Sequence, residues 1–387
     1  MVSVSVPPIF RSLTTICRML LRNIIAPIVA VVVVVACGKD DPTPGNTPVG
    51  DVHIVESSRV PFYGGFNPET SAPSLVTDEV ACRLEFAGWG VEDNSFTINF
   101  PEDKEYRRVI MRYTMCSEGK GPADYDNLVL LYVRNKESGE WYECARLFTP
   151  FGGMFDSTWE RTYHLDVSEY ASMFDGATEF RYYYGGFDAT EERAHAFRLS
   201  FLGYEGEDNV MAVESLYDSS LNPNTGYRSW AYGVEGHDIE ASERLGERTM
   251  HIPAGTREVL LRVAITGHGH DKGVFPNREG YDVLNAAEFD DNYYYFTLDG
   301  KRQQSVGHIF YSNADNYLQQ GTYNYDRANW APGNPANIQY WTMPYVATSD
   351  AELSFDIDLE QFISSFDVPN AEGVANYVVS VYAFYCK

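Results

Sequence analysis

Between Tyr125 and Gly153 the chain reads YDNLVLLYVRNKESGEWYECARLFTPFGG, and this stretch restricts the fold most tightly. Leu128 to Val133 is a β-rich apolar run, Asn135 to Gly139 is a charged turn closed by glycine, and Trp141 to Phe148 returns as a second strand. The pattern predicts a β-hairpin. The same texture recurs in Phe96 to Phe100, Val109 to Met115, Glu179 to Tyr184 and Phe197 to Tyr204, and then in Thr249 to Pro253, Val259 to Thr266, Tyr293 to Leu298, Leu353 to Ile357 and Tyr377 to Phe384. Each segment is short, aromatic or β-branched, and bounded by turn residues. Short antiparallel strands at this spacing predict an all-β chain of β-sandwiches, and 387 residues, 44% of them hydrophobic, are enough for two packed domains.

A weak internal repeat supports two related domains. Val109-Ile110-Met111-Arg112 matches Val259-Leu260-Leu261-Arg262, and Leu165 to Tyr170 matches Ile357 to Phe362. In the second motif Asp166 and Asp358, followed three residues later by Glu169 and Gln361, read as N-caps of short helical connections, which is a structural role. The acidic turn Glu205-Gly206-Glu207-Asp208 divides the halves. The expected domains are therefore residues 53–206 and 207–387.

Ahead of them, Arg22-Asn23 is followed by an apolar core from Ile24 to Val35 and then Ala36-Cys37, the pattern of a bacterial lipoprotein signal with Cys37 as the lipidated residue. The apolar run falls short of the roughly 20 residues needed to span a bilayer. Residues 1–36 are expected to be a signal peptide, and residues 37–52 the lipidated cysteine and a Pro/Gly-rich tether. These features predict a monomeric lipoprotein held to the outer membrane by its N-terminal lipid, at the cell surface or in the periplasm. In such an oxidising compartment Cys82, Cys116, Cys144 and Cys386 could pair. With 55 Asp and Glu against 29 Lys and Arg the formal charge is -26, a surface that repels phosphate backbones and excludes nucleic acid as an expected partner.

Asp126 stands at the mouth of the hairpin, where a sheet meets its loops and where all-β scaffolds usually carry polar function. Here Tyr125-Asp126, Lys136 to Glu143 and Thr149-Pro150 resemble the motifs of the peptide-N-glycosidase F family, bacterial amidases that release N-linked glycans from glycoproteins. In that family an aromatic-Asp pair opens the strand, the turn leads into Thr-Gly-Glu-Trp-Tyr-Glu, and the return strand ends in Thr-Pro. The resemblance runs from about Phe96 to the end of the chain. It implies two eight-stranded antiparallel jelly rolls packed side by side, N-linked glycoproteins or glycopeptides as substrates, hydrolysis of the amide between Asn and the first GlcNAc, and no cofactor.

The resemblance also assigns roles. Asp126 falls on the family's principal catalytic aspartate, and Glu288, in Ala287-Glu288-Phe289, on a glutamate supplied by the second domain. Asp326 to Gly333, DRANWAPG, is similar to the family's Asp-Arg-Ala-Gly-Trp-Cys-Pro-Gly, so Arg327 and Trp330 are expected to line the cleft. The guanidinium would donate to substrate and orient a carboxylate, and the indole would offer a face to a sugar ring. Tyr125, Phe187 in place of a tryptophan, and His268 in Ile265 to His270 complete the expected substrate contacts. His268 and His270 alternate on a strand, but a His-X-His pair without a third ligand predicts no metal site. Two departures stand out: Asn127 replaces an arginine, and Gly185 falls where the family has a third active-site glutamate, with Asp188, Glu191 and Glu192 as the nearest acids. A second expectation therefore stands beside the amidase, a non-catalytic glycan-binding surface lipoprotein with the same fold.

Overall fold

A computed structural model describes residues 52–57, 72–85, 94–186, 192–219, 245–269, 287–360 and 376–387. All belong to one compact unit, Asn46–Lys387. The expected signal peptide, Cys37, nearly all of the tether, Phe187, Asp188, Glu191, His270 and Gln361 lie outside the described residues.

The described strands are β1 (Val55–Glu56), β2 (Leu75–Val76), β3 (Val80–Arg83), β4 (Ser95–Asn99), β5 (Tyr106–Gly119), β6 (Leu128–Arg134), β7 (Trp141–Phe148), β8 (Arg161–Asp166) and β9 (Ala177–Tyr184). They continue with β10 (Arg193–Glu205), β11 (Val210–Tyr217), β12 (Arg248–Ile252), β13 (Glu258–His268), β14 (Asn292–Leu298), β15 (Lys301–Ile309), β16 (Gln339–Pro344), β17 (Ala351–Leu359) and β18 (Asn376–Cys386). The first sandwich pairs the sheet β2-β10-β5-β8 with β4-β9-β6-β7, and β3 extends the edge that β2 makes on β10. The second pairs β16-β13-β18-β11 with β12-β17-β14-β15. If β2 and β3 count as one edge and β1 is set aside, each sandwich has eight described strands in the order 1-8-3-6 over 2-7-4-5, a jelly roll twice over.

The predicted strands are all present, and the repeated tetrads fall on equivalent strands, β5 and β13. Unpredicted were β1, β2, β3, β8, β11, β15 and β16, of which β15 (KRQQSVGHI) is a polar edge strand with little apolar alternation to announce it. Asp166 accepts from the Ser168 backbone N–H at the start of a 3₁₀ turn, near its expected capping role, whereas Asp358 lies inside β17. β1 pairs with β16 and Ile54 joins the second core, so this part of segment 53–206 adds an edge to the second sandwich. All four described cysteines are free thiols, and burial pushes the Cys82 thiol up to about 11.

The junction of the two sandwiches follows from strand periodicity. β13 and β18 are buried on both faces. Val259, Leu261, Val263 and Ile265 and their β18 counterparts Val379, Val381 and Ala383 fill the second core. Leu260, Ala264, Tyr382 and Phe384 point the other way and join the core of the first sandwich. Polar residues alternate with them on that outer face, and they meet β7. Arg146 grips Glu143 with Nε and Nη2 at 2.9 and 2.7 Å and donates from Nη1 to Thr266 Oγ1 and the Val378 carbonyl at 2.8 and 2.7 Å. Ser219 and Ser380 donate to Glu143, and Arg262 lies 4.0 Å from both Glu143 and Glu169. Burial alone would push the Glu143 carboxyl up, but the charge and hydrogen bonds of Arg146, with Arg262 and Ser219, hold it below the usual carboxylate range.

Candidate active site

Asp126 precedes β6 in a loop clamped from two sides. Thr149, just past β7, accepts from the Asn127 N–H with its hydroxyl at 2.8 Å and donates its own N–H to the Asn127 carbonyl at 3.0 Å. The Tyr125 carbonyl takes the Thr149 hydroxyl at 3.3 Å and faces His195 Nε2, on β10, at 3.1 Å. The hairpin exit also docks the second sandwich, because Phe148 donates to the Asn334 carbonyl while Gly333 and Ala336 donate to Thr149 and Arg146. This sequence-distant pairing carries the segment containing Arg327 and Trp330 to the mouth of the hairpin.

Glu288 sits on a single 3₁₀ turn, Ala287–Phe289. Its N–H donates to the Gly269 carbonyl, and its carbonyl accepts from Ala328. The turn lies so close to β13 that a Cβ on Gly267 would come within 1.8 Å of the Ala287 oxygen, so only glycine fits there.

Arg327 joins the two carboxylates. Its Nη2 donates to Asp126 Oδ2 at 3.3 Å, and its Nε lies 3.3 Å from Glu288 Oε1 as an ion pair without hydrogen-bond alignment. Both acids therefore approach the same edge of one guanidinium, the edge that Arg146 gives to a single carboxylate, Glu143. The remaining donors are taken by Thr322 and the Tyr325 carbonyl, and the cation lies over the Trp330 and Phe289 rings at 4.6 and 5.0 Å. The side chains of Asp126 and Glu288 are 12% and 19% exposed, so they reach solvent from a floor that is otherwise closed. Burial pushes the Glu288 carboxyl above its usual range, with Arg327 working against it. Two acids on one cation leave a net negative charge that favours a retained proton, which is the condition for pairing a general base with a general acid.

Two expected roles change. Arg327 is only 1% exposed and its hydrogen bonds go to protein groups, so its guanidinium faces the two carboxylates and not open solvent. Trp330 is 4% exposed, with its indole N–H on the Gly267 carbonyl and its ring stacked on Phe148 at 4.1 Å. It supports the guanidinium from below and has no open face for a sugar. Tyr125, 62% exposed, stands beside Asp126, and Tyr325, an exposed ring edge-on to Phe289, is a rim residue that sequence reasoning missed in the Asn/Tyr-rich segment 311–325. Glu192, just before β10, pairs with Lys120 at 2.8 Å. A Cβ on Gly185 would meet nothing closer than 3.6 Å, so the backbone leaves room for a side chain there. On Gly186 it would lie 2.3 Å from the Tyr184 ring.

Fold and site together define a class: a paired-jelly-roll protein whose acid pair is assembled across the junction of its two sandwiches. No family model matches the chain. Over 242 residues, 61% of its length, it is 25% identical to the peptide-N(4)-(N-acetyl-beta-D-glucosaminyl)asparagine amidase F of Elizabethkingia miricola, and the match spans 64% of that relative. Its fold is similar to that of recombinant peptide: N-glycanase F, with a TM-score of 0.59 at 19% identity over 80% of this chain and 96% of that one. It is similar also to PNGase F, a glycosylasparaginase from Flavobacterium meningosepticum, with a TM-score of 0.58 at 19% identity and the same coverage. PNGF-II gives 0.57 at 14% identity over 80% of this chain and 65% of that one. In sequence and in fold the chain is similar to proteins of the peptide-N-glycosidase F family.

Proposed function

We propose that this protein hydrolyses the amide between an asparagine side chain and the first GlcNAc of N-linked glycoproteins or glycopeptides. Asp126 draws a proton from water as its oxygen adds to the amide carbon. The carbon–nitrogen bond then breaks, Glu288 shares protons with the leaving glycosylamine, and aspartate remains in the peptide. The carrying observation is that Arg327 holds Asp126 and Glu288, from different sandwiches, on one edge of its guanidinium. Purified protein incubated with a denatured N-glycoprotein is expected to release glycan, and Asp126→Asn to abolish the release. Undiminished release by Asp126→Asn would sink the assignment.

Gly185 favours a second reading, glycan binding without turnover, because an acid is lacking there and Glu192 is engaged elsewhere. Saturable glycan binding by wild type with no product would select it. For the N-terminus we propose lipidation at Cys37 and display on the outer membrane, as the apolar run before it indicates. Loss of labelling by a fatty-acid analogue in Cys37→Ala would support this, and unchanged labelling would refute it.

A further inference from the structure

We infer that His268 is a neutral hydrogen-bond donor to the bound sugar, fixed as the Nδ1–H tautomer by a relay that begins in the junction between the sandwiches. The ligand half of this inference rests on the glycan reading above; the tautomer half does not.

The relay starts at Glu143, whose grip on Arg146 aims Nη1 at Thr266 Oγ1, 2.8 Å away. That oxygen is buried and also lies 2.7 Å from His268 Nε2. The Arg146 N–H can only donate, so the Thr266 oxygen accepts there. Its own proton then has one acceptor in reach among the described residues, His268 Nε2. If Nε2 carried the proton instead, Thr266 would receive two donors and its hydroxyl hydrogen would be buried without a partner, which is costly. Nε2 is therefore the acceptor, and the ring proton sits on Nδ1.

The ring itself is held in place. It stacks near-parallel to Phe148 at 5.6 Å and to Trp330 at 5.9 Å, the same indole that supports Arg327. Arg146 is the charged group that faces it, and its other partners, Thr266, Phe148 and Trp330, are neutral. Burial and the Arg146 guanidinium push its pKa down to about 3, so imidazolium does not form near neutrality. Nε2 is turned to Thr266 and His268 is not wholly buried, so Nδ1 is the ring nitrogen left to meet a ligand. His268 is one residue from Gly269, whose carbonyl holds the Glu288 N–H. An uncharged donor there suits a hydroxyl or acetamido oxygen of the sugar. Arg146 and Thr266 are positioning residues for it.

The test is nitrogen-15 NMR of histidine-labelled full chain, with an N-acetylglucosaminyl-asparagine peptide as probe. An Nδ1–H tautomer unchanged between about pH 5 and 8, shifted on adding the peptide, is the expected result. The Nε2–H tautomer, or protonation in that range, would overturn the inference whether or not the protein turns substrate over. His268→Phe keeps the stack and removes the donor, and it should raise KM, or the peptide Kd if there is no turnover, by roughly threefold to tenfold with kcat little changed. His268→Gln restores a neutral donor and should recover most of the loss. Equal affinity for all three proteins would reject the sugar contact while leaving the amidase reading untouched.

Discussion

At the scale of single residues, the site depends on how one buried guanidinium divides its donors. Arg146 gives one edge to one carboxylate and is matched, while Arg327 gives the same edge to two and leaves charge over. The pKa directions follow that difference: Glu143 is held low and Glu288 is raised. A raised carboxyl binds its proton more tightly folded than unfolded. Its contribution to stability therefore falls as pH rises through the window between the unfolded value and the raised folded one. Glu288→Gln should accordingly melt at a higher temperature than wild type at pH 7 to 8, with the gap closing as pH falls below about 4.5. Melting curves across that range check it, and a gap that widens in acid would contradict the assignment. The same variant should lose glycan release, a separation of stability from activity usual where a site holds uncompensated charge.

At the scale of elements, β7 and β13 depart from the ordinary strand with one wet face. Both are buried on two sides, and the polar residues on their facing sides must satisfy one another because water cannot. Replacing Arg146 with Met leaves Glu143 buried without its principal partner, and a loss of about 3 to 5 kcal/mol is expected in denaturant unfolding at pH 7. In wild type the Glu143 contribution is present above the ordinary carboxylate pKa and is lost as pH falls through its lowered folded value. The difference between wild type and Arg146→Met should therefore shrink in acid. The hairpin β6–β7 was legible because its turn is local: Asn135 Oδ1 caps the N–H groups of Glu137 and Ser138, all within four residues. β15 was not, because an exposed edge strand takes its place from β14 and carries little apolar alternation of its own.

At the scale of the whole molecule, the two jelly rolls share a core and a charge network, and the acid pair exists only where they meet. The junction thus both holds the fold together and carries the acid pair proposed for catalysis. Unfolding should be a single cooperative transition, coincident by tryptophan fluorescence and far-ultraviolet circular dichroism, because separating the sandwiches would expose Arg146, Arg262 and Glu143 together with apolar residues of β13 and β18. Two resolved transitions would show that the junction is weaker than its burial indicates.

The sequence by itself determined what is local. Strand texture and turn chemistry defined an all-β chain, and the motifs around Asp126, Glu288 and Arg327 marked the acids and their arginine, since each depends on residues close in the chain. The tertiary structure alone decided which way each side chain faces once two sandwiches close on each other. Trp330 and Arg327 resemble substrate contacts in sequence and are buried supports in the fold, because the β7 exit pairs with residues 333–336 and covers them. The tautomer of His268 was likewise beyond the sequence, since it is set by Arg146, 122 positions away in the chain and brought to Thr266 only by the packing of β7 on β13.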